Sequence, residues 1–213
     1  MMRPALPAAL LSLAAGLSTL VPGSALLAPA AASMFQATEL SQDRFVLVAA
    51  PIGDGTRAQL NIYEQLNGKR ACYSVNGTAP AAVDPLLGSF DFTGICSRYI
   101  DANGYSLRVG GADLAASYRL MVVRQNNDNL LMAIPTKAGA GPEMVVARTQ
   151  GAGTGFLQLL FEPGWQLKRR AYGGRNLGHV YLYREAWPGA GQEVGQQLEL
   201  GQQPVGEAIP SAN

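Results

Sequence analysis

Residues 44–185 are built from short apolar runs broken by turn residues, and no stretch of ten or more residues carries helical periodicity. A packed helix needs an apolar stripe recurring every three to four residues, so this pattern leaves strands as the main element. Phe45-Val46-Leu47-Val48 ends at Pro51 and a Gly53-Asp54-Gly55 turn. Leu60 and Ile62 then alternate with Gln59, Asn61 and Tyr63, and Cys72, Tyr73 and Val75 follow. Further runs are Tyr118 to Val123, Leu130 to Ile134, Met144 to Ala147, Phe156 to Phe161, and a hairpin of residues 165–171 and 177–183 joined through Gly173-Gly174. About ten short strands at spacings of roughly 8–12 residues predict an all-β antiparallel sandwich or barrel. Most of the 25 glycines and 13 prolines fall at the predicted turns. Asp84-Pro85-Leu86-Leu87 and Asp113-Leu114-Ala115-Ala116 are each long enough for one helical turn.

Two local expectations follow. Asn67-Gly68 is a strong hairpin signal, because both residues tolerate the left-handed backbone of a two-residue turn. It would pair Ile62 with Tyr73 and Leu60 with Val75, leaving Cys72 on the opposite face beside Tyr63. The runs Tyr118-Arg119-Leu120-Met121-Val122-Val123 and Leu130-Leu131-Met132-Ala133-Ile134 are apolar on both faces, which suits central strands.

The ends differ in composition from this body. Arg3, an apolar stretch over residues 5–20 and the small-residue run Ala28-Pro29-Ala30-Ala31-Ala32 have the layout of a secretory signal peptide, residues 1–32. The stretch is shorter than the roughly 20 apolar residues of a membrane span, so no span is expected after cleavage; a retained anchor is the alternative. Residues 33–43 form a polar lead. Residues 186–213 are rich in Pro, Gly, Gln and Ala, carry Glu193, Glu199 and Glu207 without Lys or Arg, and are expected to be a disordered acidic tail. Sixteen basic and 15 acidic residues nearly cancel, so charge does not point to nucleic acid. In an exported chain, the two cysteines, Cys72 and Cys96, are expected to form one disulfide, with two free thiols or a catalytic thiol as the alternatives. Export places the protein in the periplasm, the cell envelope or outside the cell.

Several blocks of the body resemble a known family. They are Asn67-Gly68-Lys69-Arg70-Ala71-Cys72, Val83-Asp84-Pro85-Leu86-Leu87 and Phe90-Asp91-Phe92-Thr93-Gly94-Ile95-Cys96, then Asn103-Gly104-Tyr105-Ser106-Leu107-Arg108-Val109-Gly110-Gly111, Pro163-Gly164-Trp165 and Leu177-Gly178-His179-Val180-Tyr181-Leu182. In order and spacing they are similar to the exported cyanobacterial proteins of the domain-of-unknown-function family numbered 3747. That resemblance implies a cyanobacterial envelope or periplasmic setting, and it brings no activity and no functional residues.

Candidate chemistry is sparse. His179 is the single histidine, and its spacing from the two cysteines fits no common metal pattern. No Gly-x-Ser-x-Gly turn supports a Ser-His-Asp triad. No metal or cofactor is expected. Asp84, Asp91, Asp101 and Asp113 offer carboxylates for hydrolysis of a cell-wall polymer, but each lies beside turn residues where aspartate organises the chain. The last hairpin is more specific. Its parity places Lys168, Arg170 and Tyr172 on a face with His179 and Tyr181, while Trp165, Leu167, Val180 and Leu182 face the core with Arg169 as an awkward companion. Arg175 adds a cation at the turn. A face of cations and aromatic rings suits a polysaccharide or other envelope polymer. The leading expectation is a non-catalytic binding or envelope-associated module. The alternatives are the hydrolase and a structural partner of another envelope protein.

Overall fold

Strand β1 (Gln36–Glu39) is followed by β2 (Phe45–Ile52), β3 (Arg57–Gln65), β4 (Tyr73–Asn76), β5 (Ala82–Pro85), β6 (Cys96–Tyr99) and β7 (Tyr105–Val109) in the computed structural model, which describes residues 34–189. Then come β8 (Ala112–Asp113), β9 (Tyr118–Gln125), β10 (Asp128–Pro135), β11 (Met144–Arg148), β12 (Leu157–Phe161), β13 (Trp165–Tyr172) and β14 (Arg175–Arg184). The described residues contain no α-helix, only 3-10 turns at Gln42–Arg44 and Leu87–Ser89. The fold is therefore all-β, with 14 strands in two sheets among the described residues. The strands beyond the expected ten are mainly short pieces with little apolar signal, such as β1 and β8. The signal-peptide reading of residues 1–32 and the tail beyond residue 189 lie outside the described residues.

The smaller sheet has the order β1-β13-β14-β7-β8, and the larger runs β6-β3-β2-β12-β11-β10-β9 with the β4–β5 hairpin attached through β12. Alternation explains which face each strand buries. Trp165, Leu167, Val180 and Leu182 of the smaller sheet and Leu47, Leu60, Ile62, Leu131 and Val146 of the larger meet in one core. Leu131, Leu167, Val180 and Leu182 are 0% exposed, and each such burial contributes roughly 1.5–3 kcal/mol. Strand β2 is buried on both faces. Its Val46 and Val48 point into a second core with Tyr63, Cys72, Val83, Leu87 and Cys96. The segment covering this second core is tied down by the Cys72–Cys96 disulfide, with Cα atoms 5.8 Å apart. A cross-link of this kind is typically worth about 2–4 kcal/mol.

Three local expectations are corrected. Asn67-Gly68 does not join a hairpin: β3 pairs with β2 and β6, so Ile62 opposes Leu47 and Tyr99, and Leu60 opposes Ala49. Tyr73 and Val75 pair instead with Pro85 and Val83. The cause is the Gln65 side chain, which accepts from the Cys72 N–H and donates to the Arg70 carbonyl, turning residues 66–72 into a loop. Strand β9 is also not central. It ends the larger sheet, where Met121 is 41% exposed, and the sheet curls so that β9 lies against β3 and β7. Last, the ladders are antiparallel except one: β14 runs parallel to β7, with Val180 beside Tyr105 and Leu182 beside Leu107.

Both chain ends of the described region join the fold. Residues of the lead form β1 on the edge of β13, with Gln36 opposite Ala171 and Glu39 opposite Lys168. Gln42 continues that role with its amide, accepting from the Leu167 N–H and donating to the Leu167 carbonyl, both at 2.8 Å. At the other end the Trp187 ring packs on Tyr118, with centroids 6.2 Å apart.

Candidate functional site

The polar face of the smaller sheet collects the chemistry-bearing side chains, and strand parity decides which ones. In β13, Lys168 and Arg170 point away from the core that takes Leu167 and Arg169. In β14, His179, Tyr181 and Tyr183 alternate with Val180 and Leu182. In β7, Ser106 and Arg108 alternate with Tyr105, Leu107 and Val109. The antiparallel ladder sets Lys168 opposite Tyr181, and the parallel one sets Tyr181 beside Ser106. Two-residue turns with both central residues left-handed, Gly173-Gly174 (φ 55 and 78) and Gly110-Gly111 (φ 57 and 80), return β13 to β14 and β7 to β8. The second turn brings Asp113 of β8 onto the same face.

The structure brings Lys168, Arg170, His179 and Tyr181 together, but not as an open strip. Tyr181 is 0% exposed and His179 6%. The guanidinium carbons of Arg108 and Arg170 lie 5.2 and 5.5 Å from the Tyr181 ring centre, and the His179 ring meets its edge at 5.5 Å. Asp113 ties this roof down. One carboxylate oxygen accepts from the Tyr181 hydroxyl at 2.8 Å and from Arg170 Nη2 at 3.0 Å. Lys168 is occupied by Glu39 of β1 at 2.7 Å and lies over the Tyr183 ring. Neighbouring strands β1, β7 and β8 thus supply this face with carboxylates and cover.

Burial and these bonds shape the titrations. Burial, helped by the hydrogen bond to Asp113, pushes the Tyr181 hydroxyl up to about 12. Tyr183 is also pushed up to about 12, first by its hydrogen bond to Glu185 and then by burial. Burial holds His179 below the ordinary histidine value of 6.5, against the opposing pull of the Asn103 carbonyl.

The β13–β14 turn end of the face is open. Tyr172 is 55% exposed and packs against Phe35, with centroids 5.9 Å apart. The guanidinium carbon of Arg170 lies 3.7 Å from the Phe35 ring centre. Exposed Arg175 opposes Tyr172 across the glycine turn. This corner combines rings, a cation and free surface.

Sequence reasoning missed Ser106 and Arg108, and it weighed Asp113 only as a hydrolytic or turn carboxylate, not as a partner of Tyr181 and Arg170. The alternation in Tyr105-Ser106-Leu107-Arg108-Val109 marks a two-faced strand, yet only the parallel pairing, between strands distant in sequence, places it beside β14. It also missed how Arg169 is accommodated. Arg169 Nη2 lies 2.6 Å from Glu64 Oε1, and Nη1 donates at 2.6 Å to the Tyr99 hydroxyl, which in turn donates to Glu64. The four aspartates are dispersed among ordinary roles. Asp91, Asp101 and Asp113 each accept the backbone N–H two residues ahead, and Asp84 is an exposed residue of β5. Among the described residues no three His, Cys, Asp or Glu side chains gather as a metal set. No helix among them is long and apolar enough to cross a membrane.

A family model described as "Protein of unknown function (DUF3747)" matches residues 11–187. No curated protein and no solved structure matches the chain.

Proposed function

Since the chain belongs to this family of proteins of unknown function, whose description assigns no activity, we propose a function from the site itself: an exported, envelope-associated binding module for a polysaccharide or another envelope polymer. The observation behind this reading is the open corner formed by Tyr172, Phe35 and Arg175. Sugar rings present C–H faces that stack on aromatic side chains, and a tyrosine adds a polar tip to the same surface. Arg175 supplies several fixed donors for hydroxyl, carboxylate or sulfate groups. The roofed part of the face, with Lys168 and Arg170 already engaged by carboxylates, acts as the rigid base of that corner. The amino-terminal pattern of residues 1–32 supports export, and the aspartates' turn roles give no support to an aspartate hydrolase.

The test has two arms. Fractionation of the source cell locates the protein, expected in the periplasmic or envelope fraction and not in the cytosol. The mature chain is then applied to immobilised envelope polysaccharides, with retention of at least one expected. Cytosolic recovery would sink the export part, and absence of retention on every envelope polymer would sink the binding part.

A further inference from the structure

Ser106 and His179 have the arrangement of an activated nucleophile. The Ser106 Oγ lies 2.9 Å from His179 Nε2, and His179 Nδ1 lies 2.8 Å from the Asn103 carbonyl oxygen. A carbonyl only accepts, so Nδ1 carries the ring proton. Nε2 is then left as the acceptor of the Ser106 hydroxyl proton. A nucleophile, a base in contact with it and a third group orienting the base are the three parts that acyl transfer needs. The orienting group here is a main-chain carbonyl from the tight turn before β7, where Asp101 accepts the Asn103 N–H and the Tyr105 N–H bonds back to the Asp101 carbonyl.

Ser106 also lines a cavity of about 330 Å³. The cavity lies between β7 and the start of β9, and Ala102, Leu107, Ala115 and Leu120 give it an apolar wall. Arg119 is the one charged residue among those lining it, and it has no ion-pair partner among the described residues. Strand β8 pairs with Arg108 and Val109, and the Leu114 N–H bonds to the Leu107 carbonyl, so this pairing stops short of Ser106, which is itself 6% exposed and is reached through the cavity. The site is separate from the Tyr172 corner and does not depend on the binding function.

We propose that Ser106 is the nucleophile and His179 the base of an acyl-transfer site for small carboxylic esters. In the first step the Ser106 oxygen bonds to the ester carbonyl carbon while its proton passes to His179 Nε2. The ester C–O bond then breaks, and the leaving alcohol takes that proton. In the second step water, deprotonated by His179, attacks the acyl-serine. The carboxylic acid is released and the Ser106 hydroxyl is restored. A cavity of this volume admits a small acyl group, and Arg119 supplies positive charge on its wall for the carbonyl oxygen that becomes negative.

The full mature chain is treated with a fluorophosphonate probe and the adduct is mapped by peptide mass spectrometry. The expected result is one adduct on Ser106, formed at least about a hundredfold faster than in the heat-unfolded chain, the scale of general-base assistance. H179Q is expected to lose that acceleration while its melting curve shows it folded. p-Nitrophenyl acetate should leave an acetyl group on Ser106 in wild type and none in S106A. A folded wild-type chain without an adduct on Ser106 overturns the proposal. So does labelling no faster than in the unfolded chain, a comparison that stands even if H179Q fails to fold.

Discussion

Arg169 sits in a strand whose neighbouring inward side chains are Trp165, Leu167 and Ala171, and it is 9% exposed. Its charge is tolerated there because Glu64 and Tyr99 complete a closed triangle of hydrogen bonds. Removing one partner of such a buried pair leaves the other charge without compensation, so Arg169→Met is expected to cost about 3–5 kcal/mol in urea unfolding. Replacing Glu64 with Gln in the same chain should recover part of the loss, and no recovery would mean that Arg169 acts through packing alone. His179 gives a pH signature. Its folded value lies below the ordinary 6.5, so the unfolded chain takes up the proton first. The stability it contributes is complete above about 6.5 and falls away as the pH drops towards the folded value. Between pH 7.5 and 5 the wild type is expected to lose more stability than H179Q, and equal losses would contradict the burial argument. Arg169 was legible as an anomaly, because a charge in an apolar parity position stands out. Glu64 was not, since it lies 105 residues away and only the sheet packing brings it near.

At the scale of elements, parity was the readable quantity and pairing was not. The alternation of β13 and β14 placed Trp165, Leu167, Val180 and Leu182 inward correctly, because a strand's two faces follow from local sequence alone. The partners of those strands depend on long-range packing, so the cover supplied by β1, β7 and β8 stayed hidden and the face looked open. Asn67-Gly68 misled for a related reason: the turn is locally competent, but Gln65 offers the backbone an alternative set of hydrogen bonds. The boundary at residue 185 is set too early by composition. Trp187 is the last aromatic residue, and it packs on Tyr118 and against the main core. A chain ending at Gly189 is expected to melt close to the full chain. One ending at Glu185 should lose about 1–2 kcal/mol from the partly buried indole, or several degrees in Tm. Equal melting of the two truncated chains would show that Trp187 contributes nothing.

For the whole molecule, the two cores divide the labour. The main core fixes the smaller sheet against the larger one, and the second core with its disulfide holds residues 72–96 on the opposite side. The polar face of the smaller sheet is then a rigid, mostly self-satisfied layer with one accessible corner. An all-β fold and the cysteine pair were legible from the strand-length runs and the even cysteine count. The difference between a roofed and an open face was not, because it depends on side chains from five strands meeting. The central claim is that binding belongs to the Tyr172 corner and that Lys168 and Arg170 serve the scaffold. The most direct measurement compares two double variants, Tyr172→Ala with Arg175→Ala and Lys168→Ala with Arg170→Ala, for melting and for affinity to a retained envelope polysaccharide. The corner pair is expected to keep its Tm and bind at least about tenfold more weakly, a loss of about 1.4 kcal/mol. The scaffold pair is expected to melt several degrees lower, since it leaves Asp113 and Glu39 without their cations. Full affinity in the corner variant, or unchanged melting with lost affinity in the scaffold variant, would contradict the account.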